Sequence, residues 1–171
     1  MIDCVVYCAT RMTGRSKHDQ VKRAQYVCQI LKQYGLTPIS PVLEENVDDS
    51  PEVLVNDNKE KLEGFWRRDK YIIRRIAHVV LVDGAHEKSM GVEREYALSR
   101  FCIWKPTVLI MPNIGLSVSD FEDDYRTNDV HIAGAFIQHK FGTQWRRINW
   151  RIRMLAKSLP LWLLDQVCAW R

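Results

Sequence analysis

The chain has 171 residues, 46% hydrophobic and 27% charged, which is one ordinary globular domain's worth and excludes a disordered, collagenous or low-complexity polymer. No apolar run approaches the ~20 residues of a membrane-spanning helix, and 25 basic against 21 acidic residues leave a net charge of +4, too mild alone to argue for a nucleic-acid partner. Five cysteines (Cys4, Cys8, Cys28, Cys102, Cys168) without a CxxC spacing argue against a disulfide framework or zinc knuckle and for a reducing, cytoplasmic setting.

The opening MIDCVVYCATRMTG lacks the basic start and long apolar stretch of a signal peptide. Residues 2–9 form a short run rich in β-branched residues, the pattern of a buried strand, and TRMTGR follows as a loop. Residues 19–34 carry Val21, Ala24, Val27, Cys28 and Leu31 at helical spacing, with Gly35 as the terminator. Residues 36–42 form a second strand, and Pro38 and Pro41 imply that it lies near an edge or ends there. Residues 44–63 are acidic and polar, a loop with one turn of helix.

Residues 65–76 predict a second helix, with Phe65, Ile72, Ile73 and Ile76 on its apolar side. Residues 78–83, HVVLVD, are an apolar run ending in Asp and Gly, as a central parallel strand buried on both faces requires. The loop GAHEKSMG leads into a third helix over 93–101, and PTVLIM over 106–111 is another buried strand. Strands alternating with helices at this spacing predict an α/β fold, a three-layer parallel sheet of the flavodoxin or Rossmann-like kind. We expect this α/β domain over residues 1–112 and an extension over 113–171, an acidic loop followed by basic helices packed on the same domain or on a partner subunit.

Parallel sheets bind ligands beyond the carboxyl ends of their strands, so the loops after the first and third strands are the places to look. In TRMTGR and the serine after it, Thr10, Thr13 and Ser16 offer hydroxyls, Gly14 permits close backbone approach, and Arg11 and Arg15 offer anion-binding forks before a helix N-terminus. The segment is neither a P-loop nor a dinucleotide fingerprint, and an ordinary polar loop reads the same way. Asp83 closes the third strand, Ser89 and Gly91 precede the third helix, and Glu93 and Glu95 lie two apart in its first turns, facing different sides. A glutamate there is also favourable simply through the helix dipole. Asp69 shares the inward face with Ile72 and Ile73, where a carboxylate needs either an arginine partner or a function.

These residues occur in an order that resembles the nucleoside 2-deoxyribosyltransferase-like superfamily, in particular its short phage and bacterial members. Tyr7, Met12, Thr13 and Gly14 match a Tyr-x-x-x-x-Met-Thr-Gly opening, and Ser89, Gly91 and Glu95 match a Ser-x-Gly-x-x-x-Glu turn. The resemblance spans roughly residues 2–112. It implies cleavage or exchange of an N-glycosidic bond, as in deoxyribosyltransferases and deoxynucleoside 5′-monophosphate N-hydrolases. Glu95 would be the nucleophile at C1′ and Asp69 would orient the site or handle the proton on the leaving base. Arg11, Thr13, Gly14, Arg15 and Ser89, with Gly91 in the same turn, would hold the 5′-phosphate; Tyr7 and Asp83 would contact the substrate. A carboxylate nucleophile stabilises and traps oxocarbenium character, so this chemistry calls for no cofactor and no metal. Glu93 departs from the hydrolase pattern, where a small residue often stands, and the acidic stretch 44–63 replaces a loop that often covers the ligand.

Two other classes stay open: a nucleotide-binding sensor that keeps the pocket without turnover, and a nucleic-acid or membrane-associated factor acting through the tail. From 138 to 157 there are six Lys/Arg and no acid, with Trp145, Ile148, Ile152 and Leu155 at helical spacing. That stripe favours packing on the domain or on a second subunit over an acidic membrane or nucleic acid. Trp145, Trp150, Trp162 and Trp170 crowd the last third, and so much aromatic surface points to a homo-oligomer of at least two copies.

Overall fold

The computed structural model describes residues 3–10, 16–44, 59–84, 90–99, 105–111, 117–118, 124–144 and 146–148. The first strand, β1, is Cys4–Thr10, and six of its seven residues are buried. Helix α1, Lys17–Gln33, starts at Ser16, whose hydroxyl accepts from the backbone N–H of Asp19 at 3.2 Å. It ends at Tyr34 and Gly35, and Gly35 takes φ +68°, the left-handed geometry that a residue with a Cβ resists. β2 is Leu36–Ile39, and its Pro-bearing sequence stands at the sheet edge as expected. The expected strand stops there, because Pro41 opens a short helix, α2, over Pro41–Glu44.

Helix α3, Lys59–Tyr71, runs into a π-helical turn over Ile72–Ile76, closed by the Ala77 N–H donating to the Ile72 carbonyl at 2.9 Å. The wider turn explains one correction to the sequence reading. Ile72 and Ile73 are buried, but the extra residue per turn carries Ile76 outward, to 40% exposure. β3, Val79–Asp83, is buried throughout, as a central strand of a parallel sheet should be. Helix α4 is Met90–Ala97 and β4 is Thr107–Ile110.

Where the sequence reading closes the sheet domain at residue 112, the sheet continues. β5, Ser117–Val118, pairs antiparallel with β6, Asp124–Thr127, and β6 pairs parallel with β4. The sheet is therefore six strands in the order β2-β1-β3-β4-β6-β5, parallel except for β5. Of the acids that suggested a loop, Asp124 opens β6 and Asp129 caps helix α5, Val130–Phe141, by accepting from the His131 N–H at 2.6 Å, while Asp120, Glu122 and Asp123 lie outside the described residues.

Two cores flank the sheet. On one face Cys4, Val6, Cys8, Val79 and Leu81 meet Val27 and Leu31 of α1 and Ala133, Ile137 and Phe141 of α5. On the other, Tyr7, Ala9, Val80 and Val82 meet Ile72, Ile73, Val92 and Leu98. Each fully buried aliphatic side chain contributes about 1.5–3 kcal/mol. Tyr125 of β6 stacks on Phe136 of α5 with centroids 3.5 Å apart, which fixes α5 on the sheet. Gly134 lets α5 approach α1, since a Cβ there would lie 2.6 Å from the Tyr34 ring. Beyond α5 the expected solvation pattern inverts at two positions: Arg147 is buried, donating to the Phe141 carbonyl at 2.9 Å, and Ile148 is exposed. Trp145, Trp150, Ile152, Leu155, Trp162 and Trp170 lie outside the described residues. No helix among the described residues is long and apolar enough to cross a membrane.

Candidate active site

The strand order fixes where a ligand belongs. From β1 the chain moves outward to β2, then returns to place β3 on the other side of β1. The crevice of such a sheet opens at this reversal, beyond the carboxyl ends of β1 and β3. Strand alternation sends Tyr7 to the α3/α4 face, into the core with Val80 and Val82. Its side chain is fully buried, and its hydroxyl donates to Glu95 Oε1 of α4 at 2.7 Å. Glu95 is half-buried, unlike the phenol that donates to it.

The third member comes from α3. Asp69 is 8% exposed, on the same inward face as Ile72 and Ile73. Arg68 Nε and Nη2 both donate to Asp69 Oδ1, at 3.1 and 2.9 Å. The arginine partner considered from the sequence is therefore the residue next to it. Asp69 also acts on Tyr7. Burial, then the charges of Glu95 and Asp69, push the phenol far above the ordinary tyrosine range, with Arg68 pulling weakly downward. Tyr7 is thus held protonated and donates to Glu95.

Asp83 is not part of this group. It ends β3 in register with Thr10, two residues after Leu81, and points to the α1 face. There Arg23 Nε and Nη2 grip its two oxygens at 2.8 and 2.9 Å, and the Asp83 charge is felt by Cys8 on that face. The bond holds Arg23 charged more firmly than usual. Sequence reasoning singled out Asp83 but not Arg23. The signal was available: Gln20, Arg23, Ala24 and Val27 lie along the inward stripe of α1, and Gln20 is 2% exposed.

Gly91 lies in the first turn of α4, four residues before Glu95, and Ser89 immediately precedes that helix. Arg11, Thr13, Gly14, Arg15 and Ser89 lie outside the described residues, as does the side chain of Glu93. Among the described residues, no group of three or more His, Cys, Asp or Glu side chains is placed to hold a metal ion. The described cysteines, Cys4, Cys8 and Cys28, are buried and not disulfide-bonded.

No family model and no curated protein sequence matches the chain. Among solved structures it is similar to a 2-deoxyribosyltransferase from the psychrotolerant bacterium Bacillus psychrosaccharolyticus. The likeness is 17% identical and covers 76% of this chain and 90% of that chain, with a TM-score of 0.55. At that identity it establishes a shared α/β fold.

Proposed function

We propose that the chain breaks the N-glycosidic bond of a nucleoside, or of a nucleoside 5′-monophosphate, with Glu95 as nucleophile. The observation that carries this is the Tyr7–Glu95 hydrogen bond of 2.7 Å, which joins β1 to α4, with the buried Asp69 carboxylate of α3 raising the pKa of the same phenol. The likeness to a deoxyribosyltransferase fold supports the same reading.

In this reading a Glu95 oxygen attacks the anomeric carbon as the C1′–N bond breaks, and the bonding pair leaves with the base. The hydrogen bond from Tyr7 holds Glu95 Oε1 in place and orients the carboxylate for attack. A phenol stabilises a carboxylate without neutralising it, so the nucleophile keeps its charge. Asp69, steadied by Arg68, positions the base or passes a proton at its nitrogen. Water or a second base then attacks the glycosyl–Glu95 ester, restoring the carboxylate and completing hydrolysis or exchange. Arg11, Thr13, Gly14, Arg15, Ser89 and Gly91 would form the 5′-phosphate site, through guanidinium forks and backbone N–H groups at a helix start.

The test is incubation with a panel of nucleosides and 5′-monophosphates, with and without an acceptor base, following released base by chromatography. Release only with acceptor identifies a transferase, and release without it a hydrolase. Saturable binding with no release from any member would replace this reading with that of a nucleotide sensor. Arg11→Ala should weaken a 5′-monophosphate far more than the matching nucleoside if the first loop holds the phosphate. We also infer a homo-oligomer joined through the tryptophan-rich C-terminal segment; light scattering that shows a stable monomer at micromolar concentration would refute it.

A further inference from the structure

The outer side of α3 has a different character from the inner side that carries Asp69. Arg67, Lys70, Tyr71, Arg74 and Arg75 line an open cleft of about 490 Å³. Four of these five are cationic. Arg67 pairs with Glu63 at 3.1 Å, but both side chains are more than two-thirds exposed, so the pair is weak and easily exchanged. Among the described residues no acidic side chain pairs with Lys70, Arg74 or Arg75. The cleft therefore concentrates positive charge in a chain whose overall excess is only +4.

An aromatic ring sits within that charge. Tyr71 is 61% exposed, the most exposed of the large hydrophobic side chains described, although its neighbours Ile72 and Ile73 are buried. A ring in water loses apolar burial, and among the described residues nothing covers this one. The cations recur along the helix at positions 67, 70, 74 and 75, so that Arg67 and Arg74 lie about 10 Å apart along the axis at 1.5 Å per residue. That span suits successive phosphates of an extended strand better than one compact anion. A positive groove tracking a backbone, with an exposed aromatic for a base to stack on, is how proteins hold single-stranded nucleic acid without reading its sequence.

We propose that this outer face of α3 and the π-helical turn is a binding site for single-stranded nucleic acid, with Arg67, Lys70, Arg74 and Arg75 on phosphates and Tyr71 stacked on a base. The site is separate from the Tyr7–Glu95–Asp69 group and stands whether or not the glycosidic reading holds. It also differs from the C-terminal basic stretch.

The experiment is fluorescence anisotropy of the full chain with a labelled 15-mer of deoxythymidine, at several salt concentrations. Binding should be saturable. Its logarithmic salt slope should lie near −2 to −3, at about 0.7 for each of three or four neutralised phosphates. The triple variant Lys70→Gln/Arg74→Gln/Arg75→Gln should lose at least about 10-fold in affinity and most of the slope, with an unchanged circular dichroism spectrum. Tyr71→Ala should lose about 10-fold while keeping the slope, and Tyr71→Phe should restore affinity, because stacking needs the ring and not the hydroxyl. Three results would each overturn the proposal. One is equal binding by the triple variant. A second is loss of binding only when residues 146–157 are neutralised, which moves the site to the tail. The third is preference for phosphatidylserine vesicles over the oligonucleotide with no effect of Tyr71→Ala, which makes the face a membrane contact.

Discussion

Glu95 and Asp83 both lie beside the β1–β3 junction, one held by a phenol and the other by a guanidinium. The two sites are built from strands in register with each other, yet alternation turns Tyr7 to one face and Asp83 to the opposite one. On the α1 face Arg23 occupies both Asp83 oxygens and cancels the charge, which is the arrangement of a structural ion pair. On the α3/α4 face a neutral donor, the Tyr7 phenol, engages Glu95 Oε1. The contrast is between a carboxylate held by a neutral phenol, the one proposed as nucleophile, and a carboxylate clamped by a charged fork. Asp69 is intermediate, since its arginine partner is the adjacent residue on the same helix and bonds a single oxygen.

The largest expected effect falls on the phenol-held member. Glu95→Gln keeps the size and one hydrogen-bond acceptor but removes the nucleophile. Base release should fall at least ~10²-fold, an order typical of losing a nucleophilic or acid–base group. The melting temperature should stay near that of the native chain. Turnover within a few fold of native would break the comparison, because the group assigned to chemistry would then be dispensable.

The next effect should appear in stability and not in rate. Arg23→Met leaves the Asp83 charge unpaired with its side chain only 8% exposed. Breaking a buried pair costs roughly 3–5 kcal/mol. Arg23 is itself about one-third exposed, so solvent screening lowers the expectation to about 2–3 kcal/mol. Urea unfolding measures this, and Arg23→Met/Asp83→Leu should recover part of the loss. kcat for base release should change by less than about threefold. If kcat falls in step with the Glu95 variant, Asp83 touches substrate as the sequence resemblance implied.

Tyr7→Phe tests the other partner. It removes the donor that fixes Glu95, and kcat should fall about 10-fold, consistent with loss of a hydrogen bond to a charged group. The same variant has a pH signature. The folded phenol is held above the ordinary tyrosine value of about 10, so the native state binds its proton more tightly than the unfolded chain. Its contribution to stability is whole below pH 10 and is lost as pH rises beyond that. The stability gap between native and Tyr7→Phe should therefore narrow by up to ~1.4 kcal/mol per unit above pH 10. Parallel urea midpoints at pH 9 and 11 would contradict the burial and charge assigned to Tyr7.

The parts legible in the sequence were those in which one short segment carries its own reason. β1, β3 and β4 read as apolar runs because a parallel strand is covered on both faces. The inward placement of Asp69 followed from helical spacing alone. β6 did not read as a strand: DYRT is four residues long, and what makes it a strand is its pairing with β4. The π-helical turn left no signature either, so Ile76 was assigned to the wrong side. The links that define the two carboxylate sites join residues 88 and 60 positions apart. No local pattern reports such pairings. The family-like motifs indicated Tyr7 and Glu95 as members of one site, whereas the inward stripe of α1 marked Arg23 without naming Asp83 as its partner.

The smallest effect is the most specific one. Arg23→Lys keeps the positive charge beside Asp83 and most of the side-chain length. It removes the planar fork that places two N–H groups on two oxygens at 2.8 and 2.9 Å. If the α1-face site is a geometric clamp and not only a neutralised charge, the substitution should cost about 1 kcal/mol, the net worth of one intramolecular hydrogen bond. That lies well short of the Arg23→Met loss, and paired urea curves resolve it when the two slopes agree. Native stability in the lysine variant would mean that a point charge suffices. The distinction between the two faces would then be one of charge alone, with the two-pronged geometry incidental.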